Sequence, residues 1–148
     1  HPMPNPNVDF YVLNSLAKEG AYRFLCRLVD KAYPLQKQIY IHTSSHEEAQ
    51  RIDELLWTFR DTSFIPHQQV TGEHPVDPML TVTIAVDKPK QLIADILFNL
   101  SREVPPYFSE FTRIIEIVSE EEKNQSRNKY KFYKAQNCQL TLHNINES

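Results

Sequence analysis

Apolar residues recur along this chain at two spacings, and each change of spacing marks a change of element. Val8-Asp-Phe-Tyr-Val-Leu13 is a short β-favouring run. From Leu16 to Ala32 the apolar positions Leu16, Tyr22, Leu25, Leu28 and Val29 follow a helical period. Pro34 should close that helix, because proline has no N–H to donate. Gln38 to Thr43 reads as a second strand, and Ser45-His-Glu-Glu48 matches a capping box that opens a second helix ending near Phe59. On that helix Ala49, Ile52, Leu56 and Phe59 mark a buried side, with Glu47, Glu48, Arg51 and Glu54 on the polar one. Strands alternating with helices imply a parallel βαβ sheet.

Residues 61–78 form a long connection dense in proline and histidine, and connections of that length are often functional. Three further strands are predicted at Leu80–Val86, Ile93–Leu100 and Thr112–Val118, the last two separated by Val104-Pro-Pro-Tyr107. Glu120 to Asn137 reads as a polar helix and Gln139 to His143 as an extended tail. The expectation is one α/β domain over residues 8–148 with a mostly parallel sheet flanked by helices. The proline-rich residues 1–7 are expected to be a disordered leader or tag remnant outside it.

Composition removes several functions. Gly20 and Gly72 are the only two glycines among 148 residues, so no phosphate-cradling glycine loop can be written. A net charge of −3 argues against the whole chain being a phosphate-backbone binder. Cys26 and Cys138 lack C-x-x-C spacing, and they read as ordinary semi-buried thiols. No apolar run approaches the roughly 18 residues of a membrane span and no secretory leader opens the chain, so no membrane role and a cytoplasmic location are expected. His42 and His46 are four apart but would lie on a strand and a helix, so no metal site is expected. There is no G-x-S-x-G elbow and no facing pair of carboxylates. No catalytic residue or cofactor is expected, and a small-molecule enzyme would rest on fold analogy alone.

Recognition is better supported. Lys123, Arg127, Tyr130 and Lys134 would fall within about 60° of one helix face, close to Val118 at a strand end. Cations around a tyrosine suit a ligand with acidic groups and one apolar anchor, such as an acidic peptide C-terminus. The plain alternative is a solvated charged helix. A direct single-stranded nucleic-acid binder would use the same rings and cations, against the net charge. Trp57 ends the second helix and Phe64 lies in the connection; the two either anchor a partner or plug the end of the core.

Phe10-Tyr-Val-Leu13, Arg51-Ile-Asp-Glu-Leu-Leu-Trp57, Ser63-Phe-Ile-Pro-His67, Asp95-Ile-Leu-Phe-Asn-Leu100, Phe111-Thr-Arg-Ile-Ile-Glu116 and Tyr130-Lys-Phe-Tyr-Lys134 arrive in an order that resembles the chi subunit family of the bacterial DNA polymerase III holoenzyme. The resemblance covers roughly residues 9–142, and its most specific block is Leu-Trp followed by Ser-Phe-Ile-Pro-His. It implies a Rossmann-like fold without a nucleotide site and a non-catalytic adaptor. One partner would be the psi subunit, in a heterodimer that reaches the clamp loader through psi. The other would be the acidic, phenylalanine-terminated tail of single-stranded-DNA-binding protein. Carried over by position, the tail site falls on Val118, Lys123, Arg127 and Tyr130, and the psi site on Trp57 and Phe64. Glu120, Glu121 and Glu122 stand where the family pattern is about two residues longer, and they would repel an acidic tail if they faced it.

Overall fold

Pleat and burial follow directly from the apolar runs. The computed structural model describes residues 5–14, 18–35, 37–58, 65–70, 76–77 and 79–145. Among them the order is β1 (Asn7–Leu13), α1 (Lys18–Ala32), β2 (Ile39–His42), α2 (His46–Thr58), β3 (His67–Gln69), β4 (Val82–Ala85), β5 (Ile96–Asn99), β6 (Arg113–Val118), α3 (Lys123–Ala135) and β7 (Gln139–Ile145). The strands form one sheet in the order β3-β4-β2-β5-β6-β1-β7, and every pairing is parallel. This is an open α/β sheet of Rossmann-like type. The central strands are buried on both faces, which is why they read as nearly continuous apolar runs. On one face Ile39, Ile41, Ile84, Phe98 and Ile115 pack beneath Leu25, Val29, Ile52 and Leu56 of α1 and α2. On the other, Phe10, Tyr40, Leu97, Ile114 and Val118 pack with Tyr133 of α3 and with Leu92 and Phe111 from loops. Each such side chain, fully buried, contributes about 1.5–3 kcal/mol.

Several boundaries differ from expectation. Asn7 opens β1 and pairs with Arg113, and Asn5 Nδ2 donates to the Gln136 carbonyl at 2.8 Å, so the fold starts inside the expected leader. Pro34 lies within a 3-10 turn, Tyr33–Leu35, that follows α1 directly. The strand expected from Ile93 begins only at Ile96, and Ile93 is exposed. β3 was not foreseen, because three residues between polar segments carry no periodicity. The expected tail is a true strand, paired along its length with β1.

α2 is capped as expected on one side only. Glu48 N donates to Ser45 Oγ at 3.1 Å, but the Glu48 carboxylate reaches Ser44 rather than Ser45, accepting from its N–H at 2.9 Å and its hydroxyl at 3.0 Å. Glu48 is consequently buried, with Tyr22 OH donating to it at 2.6 Å and the Lys18 ammonium 3.9 Å away. Its place on the expected polar side is thus corrected: the helix N-terminus draws the carboxylate inward.

Candidate functional site

α3 forms because its 13 residues include no proline, glycine or β-branched side chain. Its end is a Schellman motif. Cys138 N donates to Tyr133 O and Asn137 N to Lys134 O, both at 3.0 Å, while Asn137 takes φ 62°. Asparagine fills a position usually held by glycine. Cys138 and Tyr133 share one apolar cluster, the contact that accompanies this motif.

A buried network fixes the helix on the sheet. Glu116 of β6, 1% exposed, accepts from Tyr133 OH at 2.6 Å, from Asn99 Nδ2 at 2.8 Å and from the Lys129 ammonium at 2.9 Å. Lys129 also donates to the Ser101 carbonyl at 2.5 Å. Burial, with the Glu116 carboxylate beside it, raises the Tyr133 phenol far above its usual range. The sequence held a signal for this group: a single carboxylate inside the apolar run Ile114-Ile-Glu-Ile-Val118 has to find partners.

The network orients the rest of α3. Lys129 points toward β5, and with Gln125, Asn128, Phe132, Arg102 and Val104 it lines a groove of about 460 Å³. Tyr130 rests on Phe10 of β1, ring centroids 5.7 Å apart. Lys123, Arg127 and Lys134 occupy the flank roughly opposite the groove, on the β1–β7 side. The helix therefore does gather Lys123, Arg127 and Tyr130 along one flank, as expected. Val118 is buried in the same cluster as Tyr130 and supports the flank from beneath. α3 carries five cations, Lys123, Arg127, Lys129, Lys131 and Lys134, and no acidic residue. The remaining chain holds 11 basic residues (16 less these five) against 19 acidic ones. Positive charge is therefore concentrated on this helix.

Two of the nearby carboxylates are engaged. Glu120 pairs with Lys123 at 2.9 Å, whereas Glu122 accepts from Ser119 Oγ at 3.0 Å and lies 3.9 Å from Lys18 of α1. The side chain of Glu121 lies outside the described residues. Arg127 is exposed and forms no ion pair among the described residues.

Trp57 lies at the far end of α2 and is 55% exposed, so it does not plug the core. Its ring meets His67 edge-on at 5.2 Å. His67 is held in turn by the Ile65 carbonyl, 2.7 Å from Nδ1, and by Asp53, 2.9 Å from Nε2. Phe64 lies outside the described residues, so the second half of the Trp57–Phe64 pair has no described position.

The profile of the DNA polymerase III chi subunit, HolC, matches residues 5–141. The chain belongs to this family. It is similar to the DNA polymerase III subunit chi of Pseudomonas aeruginosa, with 32% identity over 93% of this chain and 96% of that protein. It is also similar to the subunits chi of Haemophilus influenzae (29% identity; 93% and 96%) and Escherichia coli (27% identity; 86% and 90%).

In this chi-family chain the cleft where α/β sheets usually bind ligands, beyond the carboxyl ends of the strands, is shaped by its own side chains. The α2 N-terminus already holds the Glu48 carboxylate, where a phosphate would otherwise dock. Beside it is a cleft of about 520 Å³ that includes His42, Ser44, Asp87, Ser101 and Tyr107. The hydroxyls of Tyr40 and Tyr107 both approach His42 Nδ1 at 3.0 Å, and burial lowers the affinity of His42 for a proton. Among the described residues no three metal-ligating side chains converge. Cys26 is fully buried, and burial pushes its thiol up to about 12, the opposite of what a nucleophile requires.

Proposed function

We propose that this chain is a non-catalytic, cytoplasmic adaptor of the replicative DNA polymerase. In this reading it links single-stranded-DNA-binding protein to the clamp loader: the α3 flank holds the acidic C-terminal tail of the former, and the Trp57 surface binds the psi subunit in a heterodimer. The observation that supports it best is the concentration of cations on α3, beside a half-buried tyrosine, in a chain that is otherwise acidic. A terminal carboxylate needs a guanidinium or ammonium, and a terminal phenyl ring needs an apolar floor. Arg127 and the Tyr130–Phe10 pair offer both. Stacking of bases would require a freely exposed ring, whereas Tyr130 is packed on Phe10, which favours the peptide over single-stranded nucleic acid.

Calorimetric titration with an acidic peptide ending in a free phenylalanine carboxylate tests this. Arg127→Ala should weaken binding by about 1.5–3 kcal/mol, the loss of a charged hydrogen bond. Lys123→Ala should cost less, because that ammonium is already paired with Glu120. Rising salt should weaken the complex. Unchanged affinity for Arg127→Ala, indifference to amidation of the peptide terminus, or tighter binding of an oligonucleotide would each overturn the reading.

A further inference from the structure

The two edges of the sheet are not alike. β3 is three residues long, and shortness is one of the ways a protein protects an edge. β7 is seven residues long, about 23 Å at 3.3 Å per residue, and its outer side is the end of the sheet. Gln139-Leu-Thr-Leu-His-Asn-Ile145 contains no proline, lysine, arginine or acidic residue, so the strand itself carries none of the side chains that commonly stop a further strand from pairing, and among the described residues no strand pairs with its outer side. Its one titratable side chain, His143, is engaged on the face away from α3, 3.0 Å from Asp9 and stacked on Tyr11 at 4.4 Å.

On the α3 side Leu142 stands in register with Phe10 and is 56% exposed. Leu140, two residues earlier on that side, packs into the cluster of Phe10 and Tyr130. The Schellman turn reverses the chain, so heights can be matched along the two elements. Leu142 is about 13 Å up β7 from Cys138, and Arg127 is about 13 Å up α3 from Gln136. The cationic flank of α3 thus runs above the open edge, with Leu142 between them.

We propose that the outer edge of β7 takes up an extended acidic peptide as an eighth strand, its backbone paired to β7, its apolar side chains on Leu142 and its carboxylates under Arg127 and Lys134. The occupant follows from charge complementarity: a strand edge without acidic residues, beneath the helix flank that carries Lys123, Arg127 and Lys134, suits an acidic segment. This rests on the reading of the α3 flank as an acidic-peptide site and specifies how the peptide is held.

The test uses the whole protein and a synthetic peptide ending in a free phenylalanine carboxylate, in which every second residue, the set that would face α3, is in turn aspartate and an apolar residue, with serine at the positions between. Two versions are N-methylated, one at odd and one at even backbone positions. Strand pairing uses only alternate amides, so one version should lose about tenfold or more in affinity while the other stays within about twofold. Amide hydrogen exchange of β7 should slow on binding, and Leu142→Asp, at an exposed position, should weaken the unmodified peptide about tenfold without altering the melting temperature. If the peptide binds in an Arg127-dependent way but both N-methylated versions bind alike and β7 exchange is unchanged, the strand mode is wrong and the functional reading stands. If no peptide binds the native protein, both fail. Protection of β7 by an oligonucleotide instead of the peptide would overturn the proposal in favour of nucleic acid.

Discussion

Replacing Lys129 by methionine tests whether the buried network holds α3 in place. Methionine keeps most of the apolar stem but removes the ammonium that lies 2.9 Å from Glu116 and 2.5 Å from the Ser101 carbonyl. Glu116, 1% exposed, would keep two neutral donors, Tyr133 and Asn99, and lose its only counter-charge among the described residues. Leaving one member of a buried pair behind costs about 3–5 kcal/mol. The Lys129 side chain is 12% exposed, so water can reach the vacated end and the lower figure applies, about 3 kcal/mol. For a chain of this length that lowers the melting temperature by roughly 6–12 °C. Adding Glu116→Gln to Lys129→Met removes the orphaned charge while keeping an acceptor for Tyr133 or Asn99, and should recover at least about 1 kcal/mol. Urea unfolding followed by circular dichroism measures both variants, with an unchanged slope showing that the native state is comparable. The reasoning is refuted if Lys129→Met costs under about 1 kcal/mol, or if the double variant is no more stable than the single one.

Three further outcomes are expected. Trp57→Ala should weaken binding of psi by about 2 kcal/mol or more while the unfolding midpoint barely moves, because the ring is mostly exposed; a large drop in melting temperature would mark it as structural instead. At Asn137, which has φ 62°, glycine should be neutral or slightly stabilising, whereas valine should cost about 1–2 kcal/mol or more in the same urea assay. Burial holds His42 below its ordinary value of 6.5, so the unfolded chain takes up the proton first: stability from this group is complete above that value and declines as pH falls through it. Comparing urea midpoints of wild type and His42→Gln from about pH 8 to about pH 5 should show the steeper decline in wild type.

Most of the sheet was legible because its strands are buried on both faces and leave nearly continuous apolar runs, as at Val8–Leu13 and Ile114–Val118, each interrupted by a single carboxylate. Helical spacing likewise exposed α2 and α3. What escaped were features set by tertiary contact. β3 is defined by its pairing with β4 and not by its own composition. β7 reads as an extended tail, and only its pairing with β1 makes it a strand of the sheet. Glu48 looks like a surface carboxylate, and only the partners around it show that it is buried; Glu116 is marked by the apolar run around it, but its partners Lys129, Tyr133 and Asn99 are set by tertiary contact. The α3 flank was readable from spacing, since a continuous helix is enough to align Lys123, Arg127 and Tyr130. Which way that flank faces was not, because its direction depends on Lys129 reaching Glu116 and Ser101.

The pairing of β7 with β1 joins residues 7–13 to residues 139–145, so more than a hundred residues must be ordered or looped between two neighbouring strands. Contacts of such long sequence separation slow folding, because the loop-closure entropy is lost before the pairing is gained. The half of the sheet beneath α3, and with it the open edge, is therefore complete only once residues 139–145 have paired with residues 7–13. A chain clipped before β7 would lose the open edge beside α3, whereas Trp57, on α2, lies outside the segment removed, so the two candidate faces of the molecule depend on different parts of the chain.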